Sequence, residues 1–327
     1  MPQPIILSGI QPSGTLHVGN YLGAVKNWVD LQNSGQYDCY FCIVDYHSLS
    51  GNMKAEERRE NTATMAAELL ALGIDPNKST LFIQSHVPKC TELAWIFNTV
   101  TPVAELERMT QFKDKSKQQA KNINAGLFTY PVLQAADILL YHGALVPVGS
   151  DQVQHIELTR DIARWFNKRY GDYFPEPKPL LTEVPKVMSL LEPDKKMSKS
   201  LGEGHVLALA DEPRVIERKL KKAVTATAGG KKAPGVDNLL LLLKHFGEVE
   251  TYQQFMAAEK AGKIQYGELK EMLADSLIHY FVEFRERRAE LLSDPRVLRA
   301  QLADGAKKAG AVAEKTMREV RELVGIV

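Results

Sequence analysis

Short apolar runs alternate with helical stretches over the first half of the chain. Pro4-Ile-Ile-Leu7, Cys39–Val44, Thr80-Leu-Phe-Ile-Gln84 and Leu145-Val-Pro-Val-Gly149 are brief, apolar and bounded by polar or glycine-bearing turns, which predicts buried strands. Between them, Asn20–Leu31 carries Leu22, Val25 and Val29 on one helical face. Ala55–Leu72 reads as a long helix that stops at Gly73, with Asp75-Pro76 in the turn. Glu92–Val100, Val103–Lys113, Ala125–Tyr141 and Gln154–Asn167 complete the helical set, and Asp114–Asn124 is polar and basic. Strands alternating with helices predict an α/β fold built on a doubly wound parallel sheet. In such sheets ligands bind beyond the carboxyl ends of the strands. Pro175, Pro177, Pro179 and Pro185 read as an extended link. Beyond residue 205 the strand pattern stops, and Pro213–Thr227, Asn238–Phe246, Thr251–Ala261, Tyr266–Ser293 and Arg296–Val324 predict a C-terminal all-helical domain. The expected division is therefore 1–200, with a helical insertion over roughly 88–125, and 201–327.

Composition narrows the classes. A chain of 327 residues, 44% hydrophobic and 25% charged, has the make-up of a soluble globular protein. No apolar run approaches the roughly 20 residues needed to span a bilayer, and the start of the chain lacks a basic, apolar, small-residue export pattern. A cytoplasmic protein with no membrane partner is expected. The net charge of +1 creates no global field for nucleic acid, so any such contact must use local patches. Basic clusters occur at Arg214, Arg218, Lys219, Lys221 and Lys222, and at Arg285, Arg287, Arg288, Arg296 and Arg299; each also reads as a solvated helix face. Of the three cysteines, Cys39 and Cys42 match C-x-x-C, but on a strand these positions point to opposite faces. Buried structural thiols are expected rather than a redox or metal pair.

Three stretches carry candidate chemistry. Gly9-Ile-Gln-Pro-Ser-Gly-Thr-Leu-His-Val-Gly-Asn20 joins a strand to a helix, where free N–H groups favour phosphate. Gly9, Gly14 and Gly19 let the backbone turn and approach a ligand, and His17 and Asn20 add donors; alone, this is also an ordinary tight βα connection. Lys196-Met-Ser-Lys-Ser200 spaces lysines around hydroxyls, which suits a polyanion such as a nucleoside triphosphate. On Ala125–Tyr141, the residues Tyr130, Gln134, Asp137 and Tyr141 share one face, and a carboxylate on so apolar a helix needs a partner. Gln11, His47 and Gln84 stand at or just after strand ends, and Ser150, Asp151 and Gln152 open the helix after Leu145–Gly149.

Two of these stretches, in their order and separation, resemble the signatures of class I aminoacyl-tRNA synthetases. His17-Val-Gly-Asn20 stands at the HIGH motif and Lys196-Met-Ser-Lys-Ser200 repeats the KMSKS motif letter for letter. Ser8–Gly14, Glu105–Lys113, Ala135–Tyr141, Val146–Gly149, Asp151-Gln152, Gln154-His155 and Met188-Ser-Leu further resemble the bacterial-type tryptophanyl-tRNA synthetases over nearly the whole chain. The resemblance implies a Rossmann-like catalytic domain and a helical anticodon-binding domain. It also implies activation of L-tryptophan by ATP to an adenylate, transfer to tRNA(Trp), and a homodimer; DNA is not among the partners expected. ATP is expected at Gln11, Pro12, Ser13, Gly19, Asn20, Gly149, Ser150, Asp151, Val187, Lys196, Met197, Ser198, Lys199 and Ser200. The resemblance gives catalytic roles to His17, Asn20, Lys115, Lys196 and Lys199, with Mg²⁺ held through the ATP phosphates rather than by protein ligands. It places tryptophan against Asp137, Tyr130, Gln152, Gln134, His47, Val146 and Val148, with Asp137 accepting the indole N–H. Departures from the family pattern fall at Gln134, Ser150 and Leu201-Gly202. The alternatives are a tyrosine-specific relative and a paralogue that keeps the fold without charging tRNA.

Overall fold

The computed structural model describes residues 3–111, 123–149, 152–181, 185–225 and 234–326. Its packing divides the chain into two compact units, residues 1–14, 27–183 and 291–327 on one hand and residues 15–26 and 184–290 on the other.

The first unit is built on a five-stranded parallel sheet. In chain order the strands are β1 (Ile5–Ile10), β2 (Asp38–Ile43), β3 (Ser79–Ile83), β4 (Leu145–Val148) and β5 (Lys178–Leu181). They lie in the order β3-β2-β1-β4-β5. The chain therefore reverses its direction of winding between β1 and β4, the place where Rossmann-like sheets open a crevice. Strands covered on both faces read as continuous apolar runs, and β3 is buried at every position while β2 is buried at all but Asp38. The register is unbroken from Ile5 opposite Asp38 to Ile10 opposite Ile43.

The segment read as an extended link is instead the edge strand β5, paired with β4 from Leu145–Lys178 to Val148–Leu181. Its Pro179 hid it from pattern reading, yet an edge strand leaves one row of N–H groups unused and so accepts proline. Pro147 is accepted within β4 for a related reason, since β4 meets β1 only at Leu145 opposite Ile6.

The chain does not divide at residue 200 as expected. Its last helix, Pro295–Val324, packs with the sheet of the first unit. A Cβ on Gly305 would lie 1.9 Å from the Leu81 carbonyl oxygen of β3, so only glycine lets the helix come this close. Ala309, Ala313, Met317 and Val320 continue the buried stripe. Arg321 then grips Glu92 through two hydrogen bonds of 2.7 and 2.6 Å.

The second unit is mainly helical: Pro213–Lys222, Pro234–Phe246, Val249–Lys260, Tyr266–Tyr280 and most of Val282–Ser293. The helix expected over Tyr266–Ser293 breaks at Phe281, whose ring joins a cluster with Tyr21, Phe246, Tyr280 and Phe284. The chain from Tyr21 to Val25 forms a π-helical turn, a form frequent near functional sites.

Candidate active site

In the second unit the His17 turn and the lysine-bearing loop are parts of one assembly. His17 pairs with Ala208 in an antiparallel bridge, flanked by Val18 N–H to Leu207 O at 3.0 Å and Leu209 N–H to Leu16 O at 2.9 Å. Met188 pairs with Lys196, framed by Ser189 N–H to Lys195 O at 2.8 Å and Met197 N–H to Val187 O at 3.0 Å. The motif is thus one arm of a small hairpin. Met197 and Val187 are its buried anchors, and Asn238 clamps the other arm by bonding both the N–H and the carbonyl of Met188.

His17 is the N-cap of the turn that follows. Its Nδ1 accepts from Gly19 N–H at 3.1 Å and Asn20 N–H at 3.3 Å, and Asn20 Oδ1 accepts in return from His17 N–H at 3.1 Å. This is a capping box in which imidazole takes the place of the usual hydroxyl. A Cβ on Gly19 would lie 3.0 Å from the imidazole, which explains glycine at that position. With Nδ1 committed as acceptor, the neutral ring carries its hydrogen on Nε2. Burial, reinforced by the charges of Lys199 and then Lys196, pulls the imidazole down to about 4. At neutral pH His17 is therefore an uncharged Nε2–H donor in the field of both motif lysines. Lys199 opens a 3-10 turn whose cap is Ser198, and Ser198 Oγ lies 2.9 Å from Ser200 Oγ.

In the first unit a separate polar cluster sits beyond the carboxyl ends of β2 and β3. Asp137, on the helix Ala125–Leu140, is only 5% exposed. Its Oδ2 lies 2.9 Å from His47 Nε2, and the Gln84 Nε2 group lies 2.8 Å from each carboxylate oxygen. The Cys90 thiol also bonds this carboxylate, and burial followed by the carboxylate's charge pushes that thiol well up. His47 follows β2 in a 3-10 turn, whereas Gln84 directly follows β3. Alongside, the Tyr130 hydroxyl lies 2.8 Å from His155 Nε2 and donates to Gln111 Oε1 at 3.2 Å. Burial pushes that phenol up to about 12, so it stays protonated. The rings of His47 and Tyr130 meet edge to face, 6.3 Å apart.

Among the sequence-derived candidates, the packing joins His17, Gly19, Asn20 and Val187 with Lys196, Met197, Ser198, Lys199 and Ser200 in the second unit. It joins Asp137, His47 and Tyr130 in the first. Gln11, Pro12 and Ser13 follow β1, Gly149 follows β4, and Val146 and Val148 lie in β4. Gln134 and Gln152 are half-buried. Lys115, Ser150 and Asp151 lie outside the described residues. Tyr141 turns away from the polar row into the core, stacking on Tyr40 at 5.1 Å. Sequence reasoning left Gln84, Cys90 and His155 out of the site. The signal for Gln84 was its place at the end of β3, facing a carboxylate in need of donors. Cys39 and Cys42 are both buried; burial and then Asp38 push the Cys39 thiol up to about 11, which suppresses thiolate chemistry.

The family model for class I tRNA synthetases of the tryptophan and tyrosine types matches residues 2–282. The chain belongs to that family. It is 47% identical over 337 aligned residues to tryptophan–tRNA ligase 2 of Streptomyces avermitilis, covering 99% of this chain and 98% of that one. The tryptophanyl-tRNA synthetase of Campylobacter jejuni, solved with ADP and tryptophan, is 36% identical with a TM-score of 0.86 over 98% of this chain and 99% of that one. The Mycoplasma pneumoniae tryptophanyl-tRNA synthetase is 31% identical, also at 0.86, over 100% and 99% of the respective chains. For a class I synthetase the two polar clusters suit two substrates of different chemistry. Two lysines and a neutral imidazole donor suit a polyphosphate, and a buried carboxylate acceptor suits a side chain that bears an N–H.

Proposed function

We propose that this chain is a tryptophan–tRNA ligase. It activates L-tryptophan with ATP, giving tryptophanyl-adenylate and pyrophosphate, and then transfers tryptophan to the 3′ end of tRNA(Trp). The observation that carries this reading is the buried Asp137 carboxylate, fixed by His47 and Gln84, in a chain so similar to the Streptomyces ligase.

The chemistry asks little of general bases. The tryptophan carboxylate is already a nucleophile, so one of its oxygens bonds to the α-phosphorus while the bond to the bridging oxygen breaks. The electron pair departs with pyrophosphate. Catalysis consists of alignment and of stabilising charge on the leaving group. In this reading Lys196 and Lys199 take up that charge, joined by Lys115, and His17 Nε2–H donates to a phosphate oxygen. Gln11, Pro12, Ser13, Gly19 and Asn20 hold ATP, and Gly149, Ser150, Asp151 and Val187 surround the adenosine. Asp137 accepts the indole N–H, Tyr130 and Gln152 hold the ammonium group, and Gln134, Val146 and Val148 line the ring. Among the described residues no three His, Cys, Asp or Glu side chains gather as metal ligands. In this reading Mg²⁺ is the ion carried on the ATP phosphates, where it neutralises charge.

The second unit's helices are read as the region that holds tRNA, including the anticodon, and the protein as a homodimer in the cytoplasm. No described helix is long and apolar enough to cross a membrane. The test is amino-acid-dependent pyrophosphate exchange across all twenty amino acids. Exchange with tryptophan alone is expected, and exchange with tyrosine instead would assign the other specificity of the family.

A further inference from the structure

Asp137 is not held by its own helix. Its carboxylate is set by groups at the ends of two strands, and one of these is itself fixed with a defined polarity. The Tyr46 N–H donates to Gln84 Oε1 at 3.1 Å, which leaves the Gln84 NH₂ group on the Asp137 side. An amide can be turned either way at little internal expense, so this backbone contact matters: it commits the donor end of Gln84 to the carboxylate. Tyr46 is in turn held by Asp45, whose Oδ1 accepts from Tyr46 N–H at 3.1 Å and from Ser85 N–H at 2.9 Å. The ends of β2 and β3 are thereby tied together, and Gln84, 1% exposed, stands between them. Of the His47 and Gln84 bonds, Oδ1 of Asp137 receives one and Oδ2 two.

We propose that Gln84 is a positioning residue for side-chain selection: by bridging both oxygens of Asp137 it holds the carboxylate in the orientation that reads a donor N–H on the substrate ring. The proposal rests on the reading of Asp137 as the indole acceptor. In this role Gln84 acts through Asp137. A carboxylate left with the His47 and Cys90 contacts but no bridging amide can rotate about its terminal torsion, which is broad and soft. Discrimination between an N–H and an isosteric group without one then falls, because the penalty for an unpaired acceptor is largest when that acceptor cannot turn away.

The experiment compares kcat/KM in pyrophosphate exchange for tryptophan and for β-(3-benzothienyl)alanine, in which sulfur replaces the indole N–H. Wild type, Gln84→Met, Gln84→Glu and Asp137→Ala are assayed in the full chain. Gln84→Met keeps the volume without the amide. Gln84→Glu keeps the acceptor for Tyr46 N–H but sets a second carboxyl group against Asp137, so that the pair shares a proton in place of the fixed NH₂ donor. Both are expected to lower the tryptophan preference by about tenfold, the equivalent of one displaced buried hydrogen bond. The loss is expected in KM for tryptophan, with KM for ATP unchanged. A wild-type preference in either folded Gln84 variant overturns the proposal, as does an equal loss for both amino acids. Asp137→Ala separates the two readings. If it leaves the preference intact, the indole role of Asp137 falls and this proposal with it. If it abolishes the preference while the Gln84 variants keep theirs, only the role of Gln84 is refuted.

Discussion

His17 shows how a single residue is tuned by being used twice. Its Nδ1 caps a helical turn and its burial beside Lys196 and Lys199 removes the ring's charge. The folded imidazole titrates near 4 and the unfolded one at 6.5. Between those values the unfolded chain binds the extra proton, so this group's contribution to stability is intact above pH 6.5 and declines as pH falls towards 4. Replacing His17 by Asn, itself a good N-cap, is expected to remove up to about one proton from the uptake on unfolding near pH 5. Calorimetric unfolding in buffers of different ionisation enthalpy measures that uptake, and an unchanged value refutes the assignment. Much of this site is legible in the sequence, because His17, Asn20, Lys196 and Lys199 sit in contiguous motifs with fixed spacing. Gln84 is not legible in this way. Its role depends on which strand end lies opposite residue 137, a fact of topology that no local spacing contains.

At the scale of elements, periodicity located β1 to β4 and the long helices, since burial on one or both faces writes itself into the order of apolar residues. It could not say what a helix packs against. The stripe Gly305, Ala309, Ala313 reads the same whether the partner is another helix or a sheet. The structure puts it on β3, where Gly305 faces the Leu81 carbonyl. Two glycine replacements on this one helix should therefore act with opposite sign. Gly305→Ala drives a methyl group against a backbone oxygen that cannot step aside, and overpacking of this kind costs about 1–3 kcal/mol, occasionally more. At Gly310 an added Cβ meets nothing within 4 Å. Gly310→Ala should gain up to about 1 kcal/mol from helix propensity alone. Urea titrations of both variants decide the matter, and equal effects would mean that the close approach at residue 305 is not limiting.

Over the whole molecule, near-neutral charge hides an uneven distribution. The sequence shows two basic clusters, and the structure sorts their members. Lys219 is buried and spends its charge on Asp211 at 2.8 Å. Arg285 is half-buried, donates to the Ile278 carbonyl, and is lowered by desolvation, while Arg296 pairs with Asp294 at 3.0 Å in the first unit. Arg214, Arg218, Lys221, Lys222 and Arg287 remain exposed in the second unit. Arg218 and Lys222 border one cavity of about 190 Å³ with Lys219, Glu203, Gly204 and Leu191. If this face meets the phosphates of tRNA, each ammonium or guanidinium that neutralises one releases a counter-ion, and binding weakens linearly in the logarithm of salt. The double variant Arg218→Gln, Lys222→Gln should then raise KM for tRNA in the charging reaction. It should also flatten the salt dependence of that KM by a slope of about 0.7–0.9 for each phosphate no longer neutralised. Tryptophan-dependent pyrophosphate exchange, which needs no tRNA, should keep its wild-type rate. A raised KM with an unchanged salt slope would point to a distorted unit rather than a missing phosphate partner, and would remove Arg218 and Lys222 from the proposed RNA surface.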